Sequence, residues 1–168
     1  MLTRFYTKID KVLSMELSDI LTEESVLACT GIKTKTELLE ILSDHAAKIT
    51  GLDRQAIFTA LSDREALGST GLGNGIAIPH GKIAGLPAVT ALFAKLDQPI
   101  DFDSIDDQPV DLVMMLLAPV GAGADHLKAL ARVARMLRTE ALVDDLRRTN
   151  DPHKLYRLLI QPLAAYAA

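Results

Sequence analysis

Polar and apolar residues recur with helical spacing in the first third of the chain. Over residues 34–37 a threonine precedes a glutamate by three positions, which is a capping-box pattern, and apolar residues then follow at helical spacing until Gly51. Asp53 is a suitable cap for a second helix, which runs to Leu67 before a glycine ends it. The pattern therefore predicts two consecutive helices, preceded by a strand over residues 25–32.

The pattern becomes extended in the middle of the chain. Residues 75–78 are short and apolar, and Pro79 keeps the residue before it out of helical space. Residues 88–96 form a second extended run, and residues 112–118 are continuously apolar over the length of a strand. The polar segment 97–108 between them predicts a turn. Since a strand without polar positions is typical of burial on both faces, we expect helices on both sides of the sheet.

The last third of the chain returns to helical spacing. Asp125 is predicted to cap a helix, Thr139 to open the next one, and Asp151 to cap a third with Pro152 at its first position. The apolar stripe predicted for the first of these helices consists of Leu127, Leu130, Ala131, Ala134 and Leu137. Together the elements predict an α/β fold: a single domain over residues 15–168, with a mixed β-sheet flanked by helices on both faces.

Composition excludes several classes of protein. The chain has 168 residues, is 49% hydrophobic and carries a net charge of −4, which predicts a globular protein and argues against nucleic-acid binding. Cys29 is the only cysteine, so neither an intramolecular disulfide nor a cysteine metal cage is possible. No histidine pair has metal-ligand spacing, and we predict no metal and no cofactor.

The location and the N-terminus follow from the same patterns. The longest apolar run, residues 112–120, is too short to cross a bilayer, so we predict a cytoplasmic protein without membrane insertion. Residues 1–14 alternate basic and apolar positions, and lack the apolar core of a secretion signal. They are predicted to be an N-terminal extension, either a short amphipathic helix or a disordered segment, and Met15 is an alternative start.

Residues 71–82 combine four glycines with one histidine, His80, which follows a proline. The dinucleotide fingerprint fails here because Ile76 stands where its last glycine belongs, and the P-loop pattern fails because Ile83 replaces its Ser or Thr. Backbone N–H groups of such a segment can still form an anion-binding nest. An ordinary tight connection is the alternative. The candidate phosphate-loop residues are Gly73, Asn74, Gly75 and Gly81.

His80 is the candidate nucleophile. A neutral imidazole has one free ring nitrogen near neutral pH, and a hydrogen bond to the other nitrogen fixes the tautomer. Histidine is a recognised covalent catalyst, so the glycines and the imidazole together favour phosphoryl transfer over a structural histidine. Arg64, Lys82 and His126 are candidate anion-binding helpers, and each of them could equally be an ordinary surface residue.

Three segments carry a resemblance to a known family. They are Arg64-Glu65 followed by GSTGLGNGIAIPHGK over residues 68–82, QPIDFDSIDDQPVDLV over residues 98–113, and DHLKALA over residues 125–131. They closely resemble the EIIA domain of the fructose/mannitol class of the phosphoenolpyruvate-dependent phosphotransferase system, and most of all its nitrogen-related regulatory branch. The resemblance covers roughly residues 15–159 and leaves the first fourteen residues without a counterpart.

The resemblance implies a mixed sheet flanked by helices, with His80 accepting a phosphoryl group from a histidine phosphocarrier of the HPr or NPr type. It implies that Arg64 steadies the phosphate and that His126 supports His80. In the nitrogen-related branch the phosphorylation state controls partner proteins, including potassium-transport and sensor-kinase components. Two alternatives stay open: a sugar-specific EIIA that passes phosphate to a transporter EIIB, and a phosphate-independent protein-binding module on the same fold.

Overall fold

The computed structural model describes residues 15–162, so the predicted extension over residues 1–14 lies outside the described residues. The strands are β1 (Val26–Cys29), β2 (Gly71–Gly73), β3 (Ile76–Ala77), β4 (His80–Ile83), β5 (Thr90–Ile100) and β6 (Val110–Pro119). The helices are α1 (Lys35–Thr50), α2 (Arg54–Ala66), α3 (Gly123–Met136), α4 (Glu140–Arg147) and α5 (Pro152–Ile160), with short 3₁₀ turns at Leu17–Asp19 and Glu23–Ser25. Over the described part of the chain, no helix has the length and apolar character needed to span a membrane.

The six strands form one mixed sheet. Its order is β1-β5-β6-β3-β2, and β4 also pairs with β6. Strands β5 and β6 are antiparallel, whereas β3 and β4 both run parallel to β6 with one register, so that Ile76 lies opposite Leu112 and His80 opposite Leu116. Strands β3 and β4 therefore behave as one strand that is interrupted at Pro79, a residue without an N–H for the ladder.

Helices cover both faces of the sheet, as predicted. Alternate residues of β6 belong to two hydrophobic clusters: Leu112, Met114 and Leu116 pack with α3, α4 and α5, and Val113, Met115 and Leu117 pack with α1 and α2. This explains the continuous apolar run, because both faces of β6 are buried. The side chain of His80 lies on the same face as that of its neighbour Leu116, and so points toward α3.

Most predicted helix caps are present. The side chain of Thr34 accepts the N–H of Glu37 at 3.1 Å, that of Asp53 accepts the N–H of Ala56 at 3.0 Å, and that of Asp151 accepts the N–H of His153 at 3.0 Å. The capping box at the start of α1 differs in one detail. The Glu37 carboxylate accepts the N–H of Lys33, one residue before the cap.

Two strands differ most from the prediction. The first strand is limited to Val26–Cys29 because only these residues pair with β5. The segment predicted as a turn after residue 96 continues β5 as far as Ile100, which pairs with Val110. The register shifts between Lys95 and Ile100, and this irregularity accommodates Pro99 within a strand.

The start of α3 also differs from the prediction. The helix begins at Gly123, so Asp125 lies in its first turn and makes no capping hydrogen bond. The buried stripe is shifted by about one residue, and Leu127 is 69% exposed. The buried residues of the helix are His126, Ala129, Val133 and Met136, and of the predicted stripe Leu137 is buried directly after the helix ends. A polar histidine occupies a core position that a hydrophobicity pattern assigns to its apolar neighbour.

Candidate functional site

His80 is the first residue of β4, immediately after the interruption at Pro79, and it is half-buried. Its Nδ1 lies 2.8 Å from the carbonyl oxygen of Ile78. A carbonyl can only accept a hydrogen bond, so Nδ1 carries the proton and Nε2 carries the free lone pair. The backbone thus selects the tautomer that leaves Nε2 of His80 available as a nucleophile.

His126 faces His80 from the first turn of α3. The two ring centroids are 5.4 Å apart and the rings are inclined by 70°. His126 is only 6% exposed, and its buried Nε2 has no hydrogen-bond partner among the described residues. A buried polar atom without a partner is uncommon in folded proteins and costs stability. The nitrogen is therefore suited to a group that arrives from outside the chain.

Burial lowers the pKa of both imidazoles, which favours their neutral forms. It is the largest cause of the lowered pKa of His80, which the Arg64 charge lowers further, while the Ile78 hydrogen bond and the Glu65 charge act in the opposite direction. The pKa of His126 is lowered by burial first, and then by the charges of His80 and Lys82. The lowered pKa of His80 favours its unprotonated, nucleophilic form.

The two cationic candidates come from different elements of the fold. Arg64 is in the last turn of α2, where its Nη1 donates to the carbonyl of Gly68 at 2.8 Å. Lys82 is two residues after His80 on β4, so its side chain lies on the same face of the strand. Residues 15–162 contain no cluster of three or more His, Cys, Asp or Glu side chains arranged to hold a metal ion.

The four candidate phosphate-loop residues are divided between two places. Gly81 lies beside His80, with the backbone of Ala60 in α2 directly against it. Gly73, Asn74 and Gly75 form the turn between β2 and β3, and the Asn74 N–H already donates to Asp106 at 2.9 Å.

The β2–β3 turn is remote from His80. The carbonyls of Gly75 and Pro79 accept from the N–H groups of Leu112 and Leu116, respectively. These two donors are separated by about 13 Å at the usual rise of a strand. The structure therefore does not bring Gly73, Asn74 or Gly75 to the imidazole.

Sequence reasoning did not assign a role to Glu65, which is buried beside the site. Its carboxylate accepts from the N–H and hydroxyl of Thr70 and pairs with Lys35 Nζ at 2.7 Å. Glu65 and Thr70 both occur in the motif over residues 64–82, but nothing in the local pattern indicates that this carboxylate is buried. Its partner Lys35 is on a different helix.

Comparison with known proteins identifies the class to which this fold belongs. The family description "Phosphoenolpyruvate-dependent sugar phosphotransferase system, EIIA 2" matches residues 19–161. The chain belongs to this EIIA family. A solved structure from Neisseria meningitidis, nitrogen regulatory protein IIA-Ntr, has a TM-score of 0.79 and 30% sequence identity to the chain, and covers 85% of this chain and 98% of its own.

Curated relatives include both regulatory and transport proteins. A "Nitrogen regulatory protein" of Bradyrhizobium diazoefficiens is 48% identical over 153 residues, which is 91% of this chain and all of that protein. The "PTS system fructose-specific EIIABC component" of Bacillus subtilis is 35% identical over 131 residues, which is 76% of this chain but only 20% of that protein. The chain is thus more similar in sequence to the nitrogen regulatory protein than to the fructose-specific component, and it matches the whole length of the former but only a fifth of the latter.

Proposed function

We propose that Nε2 of His80 accepts a phosphoryl group from a histidine phosphocarrier, and that the phosphorylation state of this chain regulates other proteins. The observation that carries the proposal is the pair of rings: His80 has its proton fixed on Nδ1 by Ile78, and the unpartnered Nε2 of His126 is buried beside it. Membership of the EIIA family supports the direction of transfer, from a phosphocarrier to this chain.

The transfer follows from the tautomer. The Nε2 lone pair of His80 attacks the phosphorus in line, and a bond from phosphorus to Nε2 forms as the bond to the carrier's imidazole nitrogen breaks. The electron pair of the broken bond returns to the carrier's ring. The proton stays on Nδ1 of His80, where it is hydrogen-bonded to the Ile78 carbonyl, and this bond stabilises the positive charge that develops on the His80 ring.

The neighbouring groups stabilise charge on the phosphoryl oxygens. Nε2–H of His126 donates to one of these oxygens and thereby gains the partner that it lacks in the unphosphorylated chain. The charge of the Arg64 guanidinium already lowers the pKa of His80. This guanidinium exchanges its hydrogen bond to the Gly68 carbonyl for one to the phosphate. The phosphate adds about −1.5 to −2 charges to this surface, if a phosphoserine serves as a guide.

The targets belong to the proposal as well. Membership of the EIIA family implies that the chain interacts with proteins of the phosphocarrier and EIIB types. By analogy with the curated nitrogen regulatory relative, we place the output of this chain in regulation, with potassium-transport or sensor-kinase proteins as targets, in the cytoplasm. Leu67 and Leu127, which are 85% and 69% exposed and close in sequence to Arg64 and His126, supply apolar surface for transient docking.

Intact-mass analysis tests the assignment directly. The chain is incubated with phosphoenolpyruvate, enzyme I and a phosphocarrier, and we expect the wild type to gain one phosphoryl group. His80→Ala should gain none, whereas His153→Ala, which removes an exposed histidine from α5, should react like the wild type. A wild type without added mass, or a His80→Ala variant that is phosphorylated undiminished, would exclude His80 as the acceptor.

A sugar-transport role is the second candidate, and the fructose-specific relative is the observation that favours it. The phosphorylated chain is mixed with a fructose- or mannitol-type EIIB, and the loss of phosphoryl mass is followed over time. Rapid, complete transfer to EIIB would support transport over regulation. Retention of the phosphoryl group on the chain would support the regulatory assignment.

A further inference from the structure

We infer that Glu65 is a positioning residue that fixes the tautomer of His80 through Thr70 and Ile78. The carboxylate does not hydrogen-bond to the imidazole. It stands at the start of a chain of hydrogen bonds that ends at Nδ1 of His80. The importance of this chain for transfer rests on the proposed function, but its effect on the tautomer can be measured without any phosphorylation.

The chain begins with an ion pair between two helices, in which Glu65 is buried and Lys35 is half-buried. Glu65 is 8% exposed, and its carboxylate lies 2.7 Å from Lys35 Nζ of α1. Lys35 Nζ also lies 4.5 Å from the centre of the Phe102 ring. A carboxylate that is removed from water destabilises the fold unless both of its oxygens have hydrogen-bond or ion-pair partners. The position of the Glu65 side chain is therefore strongly constrained. The pair thus holds the end of α2 in a fixed position against α1.

Thr70 is the next link. It is 5% exposed and donates both of its polar hydrogens to Glu65, the N–H at 3.2 and 3.3 Å from the two oxygens and the hydroxyl to one of them. Residues 67–70 connect α2 to β2, and Gly68 within them has a φ of +149°. Without Glu65, the connection would lose the anchor that sets where β2 begins.

Ile78 transmits this position to the imidazole. The carbonyl of Thr70 accepts the N–H of Ile78 at 3.0 Å, and the carbonyl of Ile78 lies 2.8 Å from Nδ1 of His80. In an extended residue the N–H and C=O point to the same side of the strand, so the two contacts of Ile78 share one edge. A shift of Thr70 therefore moves the carbonyl that holds the His80 proton.

Electrostatics alone predicts something different. The Glu65 charge raises the pKa of His80, so its neutralisation lowers that pKa whether or not the hydrogen-bond chain matters. A charge effect of this kind changes how strongly the ring binds a second proton. On the neutral ring a charge acts only through the ring dipole, and Thr70→Val keeps the Glu65 charge while removing the hydroxyl link. A changed tautomer in Thr70→Val is therefore predicted by the hydrogen-bond chain and not by the charge.

The experiment is long-range ¹H–¹⁵N NMR of the full chain, at a pH where His80 is neutral, with its ring assigned by comparison with His80→Ala. Glu65→Gln keeps the shape of the side chain but loses its charge and one acceptor oxygen. Thr70→Val removes only the hydroxyl link. Asp63→Asn is the matched control, because Asp63 is an exposed carboxylate on the same turn of α2. Amide spectra establish that each variant is folded.

We expect wild type and Asp63→Asn to carry the His80 proton on Nδ1. In Glu65→Gln, Nε2-protonated molecules should rise to at least about a tenth of the population, with a smaller rise in Thr70→Val. In the phosphocarrier assay, kcat should fall about ten- to a hundredfold in Glu65→Gln with KM nearly unchanged, because the imidazole is misoriented while the docking surface is intact.

An unchanged tautomer in folded Glu65→Gln, even with a lowered His80 pKa, would overturn the inference. If Glu65→Gln does not fold, folded Thr70→Val decides: a wild-type tautomer would overturn the inference and a mixed one would support it. The tautomer is read without phosphocarrier, so a wild-type chain that is never phosphorylated sinks the proposed function while leaving this test intact.

Discussion

Gly81 sets the distance between β4 and α2, and substitution by alanine tests how closely the site depends on it. A Cβ at this position would lie 3.1 Å from the carbonyl oxygen of Ala60, 3.2 Å from the carbonyl carbon of Ala60 and 3.3 Å from the Cβ of Ala60. Favourable contacts between carbon atoms lie at about 3.5–4.0 Å, so strand and helix must separate by several tenths of an ångström. Two of the three crowded atoms belong to the helix backbone, which cannot rotate away.

The expected loss of stability is the balance of two effects. Overpacking costs about 1–3 kcal/mol, and replacing glycine by alanine recovers about 0.4–1 kcal/mol through the entropy of the unfolded chain. We therefore expect Gly81→Ala to lower the free energy of unfolding by about 1–2 kcal/mol, which corresponds to about 2–8 °C in Tm for a chain of this size. Phosphoryl transfer should slow about tenfold, because Arg64 lies one helical turn beyond Ala60 and moves with it.

Urea unfolding and the mass-based transfer assay measure the two effects. Gly123→Ala is the matched control, since a Cβ there meets no atom within 4 Å and the position begins a helix. Alanine should be neutral or slightly stabilising at that position, by up to about 1 kcal/mol. Equal unfolding midpoints for the two variants would refute the steric argument, and an unimpaired transfer rate in a destabilised Gly81→Ala would refute the link to Arg64.

Two further predictions concern buried titratable groups. Half-buried His80 and buried His126 have lowered pKa values, so the unfolded chain binds more protons than the folded one below about pH 6.5. The free energy of unfolding should therefore decrease as the pH is lowered through this range. His126→Asn should make this pH dependence less steep in urea titrations, and an identical slope would contradict the assignment. Lys95→Met should lower the free energy of unfolding by about 1–3 kcal/mol without affecting transfer, because Lys95 Nζ donates to the carbonyls of Arg147 and Thr149 at 2.8 and 2.6 Å. An unchanged urea midpoint for Lys95→Met would show that these bonds add no net stability.

The parts of the fold that sequence reasoning predicted are those encoded locally. Helix caps at Thr34, Asp53 and Asp151 are set by a side chain and an N–H within three residues of each other, and all three are present. The apolar run of β6 is likewise visible because every residue from 112 to 118 is buried. Patterns of this kind require no knowledge of distant residues.

The features that were missed depend on long-range pairing. Strands β2 and β4 contain glycine and show no apolar alternation, so they are recognisable only through their ladders with β3 and β6. The remoteness of the Gly73–Gly75 turn from the imidazole follows from the same ladders. His80 and Arg64 could be selected as candidates from a motif, but the contact of His80 with His126 depends on how α3 packs on the sheet.

The proton on His80 is held by the main chain, and this has a consequence for how the site changes under mutation. Many catalytic imidazoles are oriented by a carboxylate, which a single substitution can remove. Every amino acid at position 78 contributes the same carbonyl, so no replacement of that side chain deletes the acceptor. Sequence drift at position 78 is therefore limited by packing in the core rather than by chemistry. The position of the strand backbone determines the tautomer of His80, so only substitutions that displace the backbone change it.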